Sequence, residues 1–132
     1  MHNPYDIMLG HLADFRVRYR FYTKEEGGRS SPPYQGYRSD FWYDDGSNAA
    51  NHLFVIWPEF ENADGEVILQ NDCSVPVSGI ARMWIIFPEN RPYHYEWIKP
   101  GLTGYFMEGL RKLAECEVVE IVGLLNNPIT SL

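Results

Sequence analysis

Catalysis needs reactive side chains held close together, and the spacing in this sequence supplies few of them. Adjacent carboxylates occur at Glu25–Glu26 and Asp44–Asp45. Neighbours on a strand face opposite sides, so neither pair makes an acid/base couple in extended chain, and both read as solvated turn acids. Ser30 and Ser31 adjoin Arg29, with no histidine nearby in sequence to activate them. His2, His11, His52 and His94 are scattered singly, without metal-ligand spacing, and read as surface or packing residues. Cys73 and Cys116 are too few and too far apart for a disulfide framework or a zinc site, so both are expected as buried free thiols. A phosphate-gripping loop needs closely spaced glycines followed by Lys and Ser/Thr. The only approach to it, Gly101 and Gly104, runs into Tyr105-Phe-Met107. The expectation is a chain with no catalytic centre, metal, cofactor or nucleotide.

The bulk properties narrow the class. A length of 132 residues suits one compact domain. Aromatics reach 15%, with nine Tyr, seven Phe and four Trp, which favours strands. The net charge of −7 disfavours non-specific phosphate binding and puts a protein or small-molecule partner ahead of RNA. Met1 to Gly10 lacks a basic segment followed by an apolar run, so no signal peptide is expected. No stretch is long enough to span a membrane, and the expected location is the cytoplasm.

The elements follow from periodicity. Phe15, Val17, Tyr19 and Phe21 alternate with Arg16, Arg18 and Arg20, the period of a half-buried strand. Gly27 and Gly28 suit a turn that accepts positive φ, and Pro32-Pro33 continues it irregularly. Further strands are expected at Tyr37–Tyr43, His52–Pro58, Ala81–Phe87, Tyr93–Ile98, Thr103–Met107 and Leu113–Leu124, with a short one at Glu66–Leu69. Asp44 to Asn48 signals a turn, Glu59 to Gly65 an acidic loop, and Met107–Leu113 admits a helical turn as an alternative. Many short strands with Gly/Pro punctuation predict an all-β barrel or sandwich.

Two segments carry a family likeness: Glu26-Gly-Gly-Arg-Ser-Ser-Pro-Pro-Tyr-Gln-Gly-Tyr-Arg38 and Glu108-Gly-Leu-Arg111. In order and spacing, over Asp14 to Gly123, the chain resembles the C-terminal β-barrel of bacterial elongation factor Tu, standing alone without a GTPase. The resemblance implies a single closed antiparallel β-barrel over 14–124, an N-terminal extension over 1–13 and a C-terminal tail over 125–132. It also implies turn roles for Gly27, Gly28, Gly36 and Gly109. In the family these loops help hold the T-stem of aminoacyl-tRNA, so Arg29, Arg38, Arg111 and Lys112 become candidates for contact with RNA or a protein partner. The sequence departs from the family at Ser39-Asp40, which replace Pro-Gln, and at Ser30, which replaces a histidine. Leu110, Ala114 and Cys116 stand where the family has glycines. Asp40 faces phosphate unfavourably, and Leu110 obstructs close backbone approach.

The residues can also be read without the family. Arg29 has Glu26 or Asp40 as partners, and the stem of Arg38 can cover apolar surface. The first functional expectation is therefore a non-catalytic protein-binding module, with Trp42, Trp57, Trp84 and Trp97 as surplus aromatics. An RNA-binding accessory of translation is second. A small-molecule barrel or enzyme is third, because a small barrel fills its interior with side chains.

Overall fold

The computed structural model describes residues 1–47 and 52–131. Helix α1 (Tyr5–Leu9) precedes β1 (Phe15–Phe21), β2 (Asp40–Trp42), β3 (Ile56–Phe60) and β4 (Ser78–Ile85). A 3-10 turn (Pro88–Asn90) and helix α2 (Arg91–His94) follow, then β5 (Thr103–Glu108) and β6 (Arg111–Ile121). The strands form one six-stranded sheet in the order β2-β5-β6-β1-β4-β3, with antiparallel pairing throughout. Register shifts at Arg16/Val17 and Phe106/Met107 add local twist. The sheet curls until its two edge strands approach each other.

The all-β reading holds, but among the described residues the hydrogen-bonded ladder does not close as the expected barrel would. One bridge joins the two edges: Phe41 and Phe54 exchange backbone hydrogen bonds of 2.9 and 2.8 Å. At Phe60, the end of β3, a side chain takes the place of a strand. The buried Gln35 accepts from the Phe60 N–H at 2.9 Å and donates to the Phe60 and Ile68 carbonyls at 2.9 and 2.8 Å. Pro58 is tolerated in β3 because that strand lies at the sheet's edge.

The alternation in β1 emerges as expected. Phe15, Val17, Tyr19 and Phe21 are buried inside the curl with Phe41, Phe60 and Phe106. Edge-to-face contacts, such as Tyr19–Phe60 at 5.1 Å, fill the interior with rings. Gly104 is required there, because a Cβ would fall 2.3 Å from the Phe41 ring. On the outer face Arg16, Arg18 and Arg20 pair across to Glu120, Glu117 and Glu115 at 2.8, 3.2 and 3.1 Å. An exposed pair is worth about 0.2–1 kcal/mol, whereas a fully buried Phe is worth about 1.5–3 kcal/mol. The interior supplies stability, and the charge ladder favours one register over its slips.

Several expected elements differ. Tyr93–Ile98 is not a strand. Arg91, His94 and Ile98 are the buried positions, a helical spacing, and Pro92 sits in the first turn of α2, where its missing N–H costs nothing. The segment Glu59–Gly65 is not all loop. Glu59 lies in β3, and both it and Glu61 are buried with partners. Glu66–Leu69 is not a strand: it makes an isolated bridge between Glu61 and Val67, and the Ile68 N–H donates to the Phe60 carbonyl at 3.0 Å. Asx turns at Asp44 and Asp45 bear out the turn signal, whose Asn48 lies outside the described residues. Met107–Leu113 forms the β5–β6 hairpin rather than a helical turn.

The N-terminal extension and C-terminal tail are integral to the body. Tyr5 packs on Trp84 at 5.9 Å, and Glu59 accepts hydrogen bonds from the Tyr5 N–H at 2.9 Å and the Trp84 indole at 3.2 Å. At the other end, Asp14 and Arg91 form a buried ion pair at 2.7 Å. Asp14 also accepts from the Ile85 N–H and from Asn127, at 2.7 and 2.9 Å. Arg91 donates to the Ile85 carbonyl at 3.0 Å and to the Pro128 carbonyl. Removing one member of a buried pair strands the other, so Asp14→Ala is expected to cost about 3–5 kcal/mol in urea unfolding. Asp14→Ala with Arg91→Met should recover part of that loss, and strictly additive losses would show that the pair is not coupled.

Candidate functional site

The sequence singled out four cations, and the fold separates them into three places. Arg29 follows a turn closed by hydrogen bonds from the Gly27 N–H to the Lys24 carbonyl and from the Gly28 N–H to the Thr23 carbonyl. Glu26 accepts from the Thr23 N–H and from Arg20, and the Arg20 guanidinium, with Thr23, lowers its carboxyl to about 2. Gly27, Gly36 and Gly109 have φ of 98°, 97° and 57°, as turn glycines should. Gly28 is needed for a different reason: a Cβ there would meet the Tyr22 carbonyl oxygen at 2.1 Å.

Arg29 pairs with Glu108 at 3.2 Å and lies over Tyr37, instead of pairing with Glu26 or Asp40. Arg111 reaches back to the carbonyls of Gly27 and Gly28, at 2.8 and 2.6 Å. These two arginines and Lys24 therefore surround one shallow depression with Glu108 in its rim. Lys112 lies elsewhere, 4.0 Å from the Tyr105 ring and 5.2 Å from that of Trp42. Arg38 lies apart from all three, its guanidinium carbon 4.1 Å from the centroid of the Trp57 ring. Arg16 and Arg82 share the buried Glu61. Burial opposes ionisation of Glu61, but the two guanidiniums outweigh it and hold the carboxyl below its ordinary range. Arg16, Arg18, Arg20, Arg29 and Arg82 all spend their charge on carboxylates of this chain.

Exposed apolar side chains lie on α1 and the residues just after it, and on the C-terminal segment bonded to those residues. Ile7 is 79% exposed and Leu12 61%, on and just after α1. In the C-terminal segment Leu125 is 63% exposed and Ile129 48%. The two segments are stitched together by Asn127 donating to the Leu12 carbonyl at 2.8 Å and by the Gly123 N–H donating to the Ala13 carbonyl at 2.9 Å. Cys73 is exposed rather than buried. Cys116 is buried as expected, and burial pushes its thiol well up. Of the tryptophans, Trp84 is buried and Trp42, Trp57 and Trp97 are half-buried.

A cluster of titratable groups escaped the sequence reading, because its members are far apart along the chain. Tyr43 and His94 share a buried hydrogen bond of 2.6 Å. Asp45 accepts from the Tyr93 hydroxyl and lies 3.2 Å from His52 Nδ1. Phe54 packs against both histidines, at 4.8 Å from His52 and 4.6 Å from His94. Hydrogen bonds from Ser47 and Tyr93 hold Asp45 well below the usual carboxylate range. The bond to Asp45, with some burial, lifts Tyr93 to about 12. Burial, aided by the nearby His52, lowers His94 to about 4. Among the described residues no group of three or more His, Cys, Asp or Glu is placed to hold a metal ion, and no helix is long and apolar enough to cross a membrane.

His94 generates a pH prediction. Its folded pKa lies below the unfolded value of about 6.5, so the unfolded chain binds the extra proton. The stability from its neutral state is present above about 6.5 and is lost as pH falls towards 4, by about 3 kcal/mol. His94→Gln should flatten the difference between urea midpoints at pH 7 and pH 4.5, and an unchanged slope would count against the assignment. Compared with models of known protein families and with curated proteins, the sequence matches none.

Proposed function

We propose that this chain is a non-catalytic module of the cytoplasm that binds a protein partner, built on a curled sheet of the kind seen in the C-terminal barrel of elongation factor Tu. The observation that carries the reading is the apolar end where Ile7, Leu12, Leu125 and Ile129 are exposed on adjacent segments. These segments are held by the Asp14–Arg91 pair and by Asn127, so their side chains are presented on a fixed backbone. A preorganised apolar surface loses less entropy on binding than a mobile tail does. The exposed charge beside it is acidic, from Asp6 in α1 and Glu89, which hydrogen-bonds Ser131. With a net charge of −7, a second copy of the chain is repelled, and the fitting partner carries apolar anchors flanked by Lys or Arg. Ile7→Asp with Leu125→Asp is expected to weaken capture of the native partner at least about tenfold, the effect of about 1.4 kcal/mol, with unchanged circular dichroism and urea midpoint. Undiminished capture by this variant would refute the reading.

A second reading, contact with RNA, draws on Lys24, Arg29 and Arg111 lying around one depression. It ranks below the first because Arg29 is matched by Glu108, and Arg38 and Lys112 lie on other parts of the surface. If it holds, tRNA retention on filters at low salt is lost in Arg111→Glu and falls steeply as salt rises. Retention that survives both changes would dismiss it.

A further inference from the structure

Beside the Asp45 cluster lies a cavity of about 350 Å³, lined by His52, Phe54, Phe87, Asn90 and Tyr93 with Leu53 and Val55. It is separate from the filled interior of the sheet and from the apolar end proposed to bind protein. Its size falls within the range of small-ligand sites, roughly 300–1,000 Å³, and the character of its walls narrows what it can hold.

Among the described residues no Lys or Arg lines the cavity. The rings of His52, Phe54 and Tyr93 form one wall, with centroids 4.8 to 6.0 Å apart. Phe87 is half-exposed at the lip. Aromatic faces carry negative potential and attract cations. The polar groups have the same bias. Tyr93 donates its hydroxyl hydrogen to Asp45, so its oxygen is left only lone pairs to offer. His52 Nδ1 lies 3.2 Å from the Asp45 carboxylate. Asp45 is itself nearly buried, and its charge acts through these two groups. The Tyr93 phenol is enriched in electron density by its bond to that carboxylate and also feels the negative charge of Glu96. An anion would meet no matching charge here, and a neutral ligand would gain nothing from the aromatic faces or from the carboxylate behind them.

We infer that this cavity binds an organic cation of the quaternary ammonium class, seated against Tyr93, Phe54 and Phe87 and favoured by the Asp45 carboxylate behind them. A free quaternary ammonium compound and a methylated lysine side chain present the same chemistry, and the test separates them. Calorimetry on the full chain at pH 8 would compare choline with 3,3-dimethylbutan-1-ol, its neutral isostere, and a trimethyllysine peptide with the same peptide carrying unmodified lysine. Saturable binding of choline or of the trimethyllysine peptide, about tenfold or more tighter than its control, is the expected result, and the tighter of the two identifies the source. Phe87→Ala, at a half-exposed position that does not endanger folding, should weaken that binding about fivefold or more. Failure of both cations to bind more tightly than their controls, or indifference of that binding to Phe87→Ala, would each overturn the inference.

Discussion

The arrangement depends most on one buried charge pair. Asp14 and Arg91 are both sealed from solvent, and a buried charge is tolerable only when its hydrogen-bonding capacity is filled. Here the bonds that fill it come from separate parts of the chain: the end of β4, the start of α2 and the C-terminal segment. Because each contributor must be in place for the pair to be satisfied, the two chain ends are held against the sheet. A similar arrangement recurs at Glu59, where His2, Tyr5 and Trp84 converge on one buried carboxylate. Both hubs are polar clasps on the outside of an aromatic core.

These clasps determine what the surface can do. They order the segments bearing Ile7, Leu12, Leu125 and Ile129, apolar side chains that remain exposed although their backbone is fixed. Meanwhile the arginines of the outer sheet are matched by glutamates across the strands, so the many cations of β1 do not add up to a phosphate-binding face. The acidic total and the absorbed arginines are why the proposed partner is a protein and not nucleic acid.

Edge closure shows how local chemistry substitutes for regular pairing. A ladder between β2 and β3 would require strands of matched length, and β2 has three residues. Gln35 supplies a primary amide that pairs with the Phe60 N–H and carbonyl much as a neighbouring strand would. At that residue the backbone polar groups of the edge are satisfied, which blunts the template for unwanted strand addition there.

What could be read directly was whatever depends on local order. The period of two in Phe15–Phe21, the turn at Gly27, and the Asx turns at Asp44 and Asp45 follow from backbone geometry and side-chain alternation, which neighbours in sequence express. The burial of Arg91, His94 and Ile98 at helical spacing was also present in the sequence, but the aromatic alternation of Tyr93, Tyr95 and Trp97 masked it. Long-range pairing decided the rest. Nothing near Arg29 in sequence indicates that Glu108 is its partner, and nothing near Asp14 indicates Arg91, because ion pairs are chosen by proximity in the fold. The same holds for the group of Asp45, His52, Tyr93 and His94, four residues that look unrelated in sequence and become one electrostatic unit only when Phe54 is packed between them. Sequence alone determined an aromatic, antiparallel sheet with its turns. Tertiary structure decided which charges cancel and which surfaces remain to bind, because both depend on distances that only the folded chain creates.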